Sequence, residues 1–374
     1  MPLIFVLSVR GGRFCVKKER KRCRILLLVL KDGGFYDIMI PTITMPRGVW
    51  LMEDRKNALR FRKDGTFRVM MMSDLQESAQ YDPRSLRSVE VLLDESDPDL
   101  VVWGGDNCYG PEIGNEQDLI DFLNIFTAPM EKRGIPWVHI FGNHDHDVPV
   151  PISRQQELYE SYPMCISQHT DDSVHGKSNF MLPVYNQKGE VALAIWGLDT
   201  NHTVDELDGL IGDSMRKRAV LPSAPVGSGT WGMVYFDQLL WYWNTSRALE
   251  EQNGKKIPGL LCMHIAPYEY RTACANPELC VREGYYGEKL GGNPFNSGLF
   301  SLLLQRGDVK AICCGHTHKN DVDAEYCGIR LLWDACVGYR CYGVDERRGG
   351  RLFVYREECP EAVTTEMIRT AEKL

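Results

Sequence analysis

The apolar run Val309-Lys310-Ala311-Ile312-Cys313-Cys314 stops at Gly315, and His316-Thr317-His318 follow at once. A short apolar run ending in Gly reads as a buried strand that stops at a tight loop. Two imidazoles one residue apart on such a loop can reach two neighbouring metal ions from a single turn of backbone. Further runs stop the same way. Phe67 to Met72 ends in Ser73-Asp74-Leu75-Gln76, and Asp99 to Trp103 ends in Gly104-Gly105-Asp106-Asn107-Cys108-Tyr109. Ile135 to Phe141 ends in Gly142-Asn143-His144-Asp145, and Gly259 to Met263 ends in His264. Asp, Asn and His just past strand C-termini lie where open α/β sheets hold their ligands. Gly, Asn and Asp are also ordinary turn residues. Turns need no histidines, however, and these loops supply His144, His264, His316 and His318.

Amphipathic segments alternate with the runs. Asp82 followed by Pro83 is a helix start, and Leu86, Val89, Leu92 and Leu93 share a face over Pro83 to Asp94. Glu116 to Glu131 repeats the pattern with Leu119, Phe122, Leu123 and Phe126, and Phe236 to Glu251 and Ser297 to Gln305 are further candidates. Strand-helix-strand order implies parallel pairing with right-handed crossovers. The long segment His146 to Pro258 contains one clear strand, Val191 to Leu198. It also holds a Gly/Pro/Ser-rich stretch, Leu221 to Trp231, which reads as a surface loop near the site mouth. Leu352 to Tyr355 and Val363 to Ile368 are strand-like and read as closing the second sheet. His139 reads as structural, His146 as a bystander, and His169, His175 and His202 as solvent-exposed.

Net charge of -8 argues against a general nucleic-acid or anionic-membrane surface. The 13 cysteines are scattered without a CxxC pair, which suits a reducing cytoplasm better than a secreted disulfide framework. The opening of the chain differs from the rest: Arg10 to Arg24 is densely basic, between apolar pieces too short to span a bilayer. Residues 1–50 read as a poorly ordered basic appendage or an over-long start, with Met45 or Met52 as alternative starts. No transmembrane segment is expected.

Asp74, Gly105-Asp106, Gly142-Asn143-His144-Asp145, His264 and Gly315-His316-Thr317-His318 resemble the ordered motifs of calcineurin-like metallophosphoesterases. The single-domain, purple-acid-phosphatase-like branch is the nearest in pattern. Asp64-Gly65-Thr66-Phe67, Leu198-Asp199-Thr200 and Asn296-Ser297-Gly298-Leu299-Phe300 support the resemblance, which runs from about Leu59 to Thr370. It implies an α/β fold over residues 57–372: a four-layer sandwich of two packed mixed β-sheets flanked by α-helices, with the metal site at one edge.

The resemblance also implies a site. Asp74 and His318 would hold one metal, Asp106 would bridge, and Asn143, His264 and His316 would hold the second. Carboxylate, amide and imidazole donors suit Fe, Zn or Mn. His144 matches the family's general acid, and Asp145 is positioned in sequence to orient it. One departure stands out. The commonest first motif is Asp-x-His, but here it is Asp74-Leu75-Gln76. Tyr109, at Asp-x-x-Tyr spacing from Asp106, resembles the tyrosinate ligand of purple acid phosphatases. Either Tyr109 takes the missing position, or Gln76 binds through its carbonyl, or that half of the site is weakened.

The implied activity is hydrolysis of a small phosphorylated substrate, by in-line attack of a metal-bound hydroxide on phosphorus with His144 as acid. A phosphomonoesterase is the first expectation. A phosphodiesterase acting on cyclic nucleotides or phospholipid headgroups would use the same centre. A catalytically silent binding module of the same fold is the reading from another class, favoured by Gln76 alone.

Overall fold

The computed structural model describes residues 58–168, 171–203, 231–291 and 295–374, together with the backbone of five strands before them. The chain divides into two compact units, Met1–Arg47 and Gly48–Leu374. In the first, β1 (Ile4–Val9), β2 (Gly12–Glu19) and β3 (Arg22–Arg24) form one small antiparallel sheet, and β4 (Leu27–Lys31) pairs with β5 (Gly34–Ile38). The basic stretch read as an appendage falls within this unit.

In the second unit, β6 (Thr66–Met72), β7 (Leu100–Trp103) and β8 (Trp137–His139) run parallel. Two antiparallel strands, β16 (Gly349–Arg356) and β17 (Thr364–Arg369), complete a sheet of order β17-β16-β6-β7-β8. The tail strands thus join the sheet of the first motif, because β16 returns alongside β6. The second sheet contains β9 (Phe180–Tyr185), β10 (Val191–Leu198), β11 (Gly259–Met263) and β12 (Val281–Glu283). It also takes in β13 (Val309–Cys314), β14 (Asp323–Tyr326) and β15 (Ile329–Trp333), in the order β12-β14-β15-β13-β11-β10-β9. Its β10, β11, β13 and β15 are mutually parallel.

Strand periodicity sorts the side chains into layers. Phe67, Val69 and Met71 of β6 join Leu260, Cys262, Ala311 and Cys313 of the other sheet in one buried cluster between the sheets. Met70 and Met72, one residue out of phase, instead pack with Val89, Leu92, Phe122 and Tyr159. Those belong to α1 (Pro83–Ser96), α2 (Glu116–Arg133) and α3 (Ile152–Glu160). On the far face of the other sheet, Leu261, Met263, Ile312 and Cys314 pack with Leu239, Tyr242 and Leu303. These come from α4 (Phe236–Asn253) and α7 (Leu299–Arg306), with α5 (Glu269–Ala275) and α6 (Pro277–Cys280) lying between in sequence. The result is the expected four-layer α/β/β/α sandwich. Because both sheets have parallel cores, the C-terminal ends of their motif strands open onto one edge.

Helix α1 starts as its sequence indicates, with the Asp82 carboxylate accepting from Arg84 N at 2.9 Å and Pro83 in the first turn. Asn115 caps α2 by accepting from Gln117 N and Asp118 N, and Gly134 ends it at a φ of 65°. Strand β9 carries Pro183, which breaks the sequence pattern of a strand. It is tolerated because β9 is a sheet edge, where a missing N–H leaves no ladder bond unmade.

Candidate metal centre

The loops after the parallel strands are tied to one another by backbone hydrogen bonds. Asp74 N donates to Gly105 O (3.0 Å), Gly315 N to His264 O (3.1 Å) and Val337 N to Ser73 O (3.0 Å). The chain must turn sharply there, and non-glycine residues carry the strain. Asp74, Gln76, Asp106 and His316 have φ of 56°, 42°, 52° and 70°. Backbone strain of this kind concentrates at functional sites, where surrounding contacts hold it in place.

Two donor clusters result. The ligand-type atoms of Asp74, Asp106 and His318 lie within 4.8 Å of one another, as do those of Asp106, His264 and His316. Asp106 is common to both. His318 Nε2 is 3.2 Å from Asp74 Oδ1, and His264 Nε2 is 3.2 Å from Asp106 Oδ2. The other ring nitrogens are anchored by carbonyls, His264 Nδ1 on Gly104 O and His318 Nδ1 on Tyr342 O, both at 2.8 Å. That orientation turns Nε2 of each ring inward, the usual support for a metal-binding imidazole.

The electrostatics are those of carboxylates and imidazoles crowded together. Burial alone would raise the Asp74 and Asp106 carboxyls, yet the neighbouring imidazoles hold both below their ordinary values. Burial would lower His264, but Asp106 and Asp74 lift it to about 9. His316 is half-buried, and desolvation together with the neighbouring His264 pushes it down to about 3.

Two orphaned groups test whether a metal fits. The side-chain oxygen and nitrogen of Asn143 are buried without a hydrogen-bond partner. His264 Nε2 also lacks one, its 3.2 Å approach to Asp106 being an ionic contact without hydrogen-bond geometry. Leaving a polar group so placed costs about 1–3 kcal/mol. A cation taking the Asn143 oxygen and His264 Nε2 as ligands removes the penalty, so the donor set fits a metal pair.

Glycines hold the backbone close to these side chains. A Cβ on Gly142 would lie 2.2 Å from Asp106 Oδ1 and 2.8 Å from His264 Nε2, and one on Gly315 would lie 2.7 Å from Asp74 Oδ2.

The structure departs from the sequence reading around the acid. His144 Nδ1 is 2.6 Å from Asp147 Oδ2, so Asp147 is its orienting carboxylate in place of Asp145. Asp145 is fully buried and accepts from the backbone N–H groups of Gly142, Asn107 and Cys108 at 2.8, 3.0 and 3.1 Å. It therefore braces the two loops. The reason lies in local geometry: His144–Asp147 forms a turn of 3₁₀ helix, which places residues three apart on the same side.

Gln76 lies in the site, its Nε2 donating to Asp106 Oδ2 at 3.1 Å. Tyr109 is held by its N–H on Glu77 O (2.8 Å), and the Arg340 guanidinium lies 5.5 Å from its ring centre. Among the described residues no hydrogen bond joins its phenol to the cluster.

Trp231 was not singled out in the sequence, yet its ring centre is 5.4 Å from that of His144 and 6.0 Å from that of His316. The rest of the Gly/Pro/Ser-rich stretch before it, like His169, lies outside the described residues. His146 stacks on His202 at 5.0 Å. His175 is half-buried and bonded to Asp237 Oδ2 at 2.7 Å, so it is not simply solvated. His139 is structural as expected, bonded to Gln156 and Ser167. The thiols of the described cysteines are all free.

An α/β/β/α sandwich with carboxylates and imidazoles crowded at its C-terminal strand ends is the architecture of a metallophosphoesterase. The chain belongs to the calcineurin-like phosphoesterase family, whose model matches residues 67–320. It is 27% identical over 321 residues to "probable inactive purple acid phosphatase 14" of Arabidopsis thaliana, covering 77% of this chain and 74% of that one. To "probable inactive purple acid phosphatase 29" of the same plant it is 26% identical over 323 residues, covering 77% and 76%. A crystal structure of a dimetal phosphatase from Danio rerio shares the fold at a TM-score of 0.50 and 13% identity, over 80% of this chain and 98% of that one. No helix among the described residues is long and apolar enough to cross a membrane.

Proposed function

We propose that the protein is a dimetal phosphoester hydrolase that acts on small phosphomonoesters in the cytoplasm. The observation that carries this reading is the pair of donor clusters joined through Asp106. Two cations held there supply charge neutralisation for the phosphoryl oxygens and a water acidified enough to attack at neutral pH. Asp74 and His318 serve one, Asn143, His264 and His316 the other, and Asp106 both. The ions are Fe, Zn or Mn by donor chemistry.

His144 stands at the mouth with its side chain 39% exposed, which gives a substrate's leaving oxygen access to Nε2. Asp147 holds Nδ1, so the proton for transfer is the one that the imidazolium form carries on Nε2. Trp231 lies beside both His144 and His316, its ring centre 5.4 and 6.0 Å from theirs.

The printed names of the plant relatives contain "inactive", and Gln76 stands where an imidazole is commonest. A silent binding module is therefore the competing reading. Purified protein reconstituted with Mn, Fe or Zn is assayed on p-nitrophenyl phosphate and bis-p-nitrophenyl phosphate, with metal content measured in parallel. Turnover of the monoester by protein holding two metals supports the proposal. Preferred turnover of the diester makes it a phosphodiesterase. Two bound metals with turnover of neither substrate leaves the binding module.

A further inference from the structure

Two thiols face each other beside His318. The sulfurs of Cys336 and Cys341 and a ring nitrogen of His318 all lie within 4.8 Å of one another. Both cysteines are buried, Cys336 1% exposed and Cys341 7%. Cys341 Sγ donates to Asp74 O at 3.4 Å, the carbonyl of the residue whose carboxylate faces His318. Cys336 lies on the loop after β15 and forms a parallel bridge with Ser73. A buried guanidinium serves both sulfurs: Arg348 Nη1 is 3.1 Å from Cys336 Sγ and 3.7 Å from Cys341 Sγ. A cysteine that only fills core space needs no cation beside it. Arg348 also bonds Asp345 Oδ1, Gly338 O and Cys341 O, so one guanidinium ties together the loop that carries both sulfurs.

We propose that Cys336 and Cys341 are a redox-modification site, a dithiol that hydrogen peroxide converts to a disulfide, and that its oxidation loosens the Asp74–His318 half of the metal centre. The less buried Cys341 sulfur attacks one peroxide oxygen as its thiol proton leaves. The O–O bond breaks, a sulfenic acid forms on Cys341, and the released hydroxide takes a proton to leave as water. The Cys336 sulfur then attacks the Cys341 sulfur, the S–O bond breaks, and a second water departs as the S–S bond forms. Two thiols and one peroxide give one disulfide and two waters, with two electrons passing from sulfur to oxygen. A disulfide requires the sulfurs to close to about 2.0 Å. One or both sulfurs move, and Cys341 Sγ loses the hydrogen that it donates to the Asp74 carbonyl, which alters the contacts around Asp74 and His318. The loop between them contains Gly338, whose N–H is bonded to Asp74 O, so movement of this loop is felt directly at Asp74.

The coupling to metal rests on the reading that Asp74 and His318 hold an ion; the thiol chemistry does not. The test uses full-length protein loaded with zinc, so that only sulfur is oxidised. It is treated with hydrogen peroxide, alkylated, and examined by peptide mass and metal analysis, with and without subsequent dithiothreitol. The expected result is a loss of 2 Da (two hydrogens) in a cross-linked Cys336–Cys341 peptide, with zinc falling from about two to about one per chain. Dithiothreitol should restore both on re-addition of zinc. Cys336→Ser should keep its zinc under the same treatment. Oxidation confined to exposed Cys327 and Cys359 overturns the proposal, as does a Cys336–Cys341 cross-link formed with both zinc ions retained. Equal zinc loss in Cys336→Ser also overturns it. The mass shift is read without any phosphatase assay, so failure of the functional reading is distinguishable from failure of this one.

Discussion

His144 Nδ1 and Asp147 Oδ2 lie 2.6 Å apart, a charge-assisted pair standing at the rim of the metal cluster. On the proposed reading, with His144 as proton donor, Asp147 is its positioning residue. His144→Ala is expected to lower kcat on p-nitrophenyl phosphate about 100-fold or more, the scale of lost general acid catalysis. Asp147→Asn should cost less, on the order of tenfold, as for other carboxylates that orient a functional imidazole. Metal content should stay at the wild-type level in both. A wild-type rate in His144→Ala removes it from the reaction, and a metal-depleted Asp147→Asn would show that this carboxylate supports the cluster instead.

Gly142 is where the close packing of the site can be tested with one methyl group. Its Cβ would occupy space already filled by Asp106 Oδ1 and His264 Nε2, at 2.2 and 2.8 Å. Gly142→Ala should therefore displace the shared carboxylate and lower the content of both metals, as Asp106→Asn should by weakening the shared ligand itself. Elemental analysis after dialysis against metal-free buffer checks both. Full occupancy in Gly142→Ala would mean that the loops yield more readily than their hydrogen bonds imply.

The motif strands were legible because their apolar runs stop at the site residues, and α1 because its start is capped, whereas β9, β12, β14, β15 and α3 were not read. Pro83–Ser96 and Glu116–Arg133 extend only two residues past the ends read from periodicity. The metal cluster was legible because its members sit at strand ends, where topology alone brings distant residues together. What escaped has physical reasons. The partner of His144 depends on whether residues 144–147 turn as 3₁₀ helix, and nothing in His144-Asp145-His146-Asp147 distinguishes the two aspartates beforehand. Trp231 reaches the site from a stretch without periodicity. Cys336 and Cys341 are simply two of the scattered cysteines in the sequence, and only the fold brings their sulfurs together beside Arg348.

Gln76 and Tyr109 offer rival replacements for the absent imidazole, and substitution separates them. Gln76 already touches the bridging carboxylate, so Gln76→His should place an imidazole against Asp106 and raise the affinity of the Asp74 half for zinc. A tyrosinate on ferric iron gives a visible charge-transfer band. Tyr109→Phe should abolish such a band in iron-loaded protein if the phenol is a ligand. A colourless iron-loaded wild type, with unchanged metal content in Tyr109→Phe, excludes the tyrosinate and leaves Gln76 or a weakened half-site.

His139 supplies a pH dependence outside the metal cluster. Burial pushes its imidazole down to about 3, against 6.5 when unperturbed, and Gln156 offsets only part of that. The folded protein thus keeps His139 neutral while the unfolded chain protonates it below about pH 6.5. Its contribution is fully present above that pH and is lost as pH falls towards 3, because each proton taken up by the unfolded chain favours unfolding. The slope from one such group is at most about 1.4 kcal/mol per pH unit. Denaturant midpoints measured from pH 7 to pH 4.5 should fall more steeply in the wild type than in His139→Gln. The variant should itself be less stable at pH 7, since it alters buried bonds to Gln156 and Ser167 at 2.9 and 2.8 Å. Parallel slopes would show that His139 is protonated equally in both states, contrary to its burial between Phe141 and Tyr159.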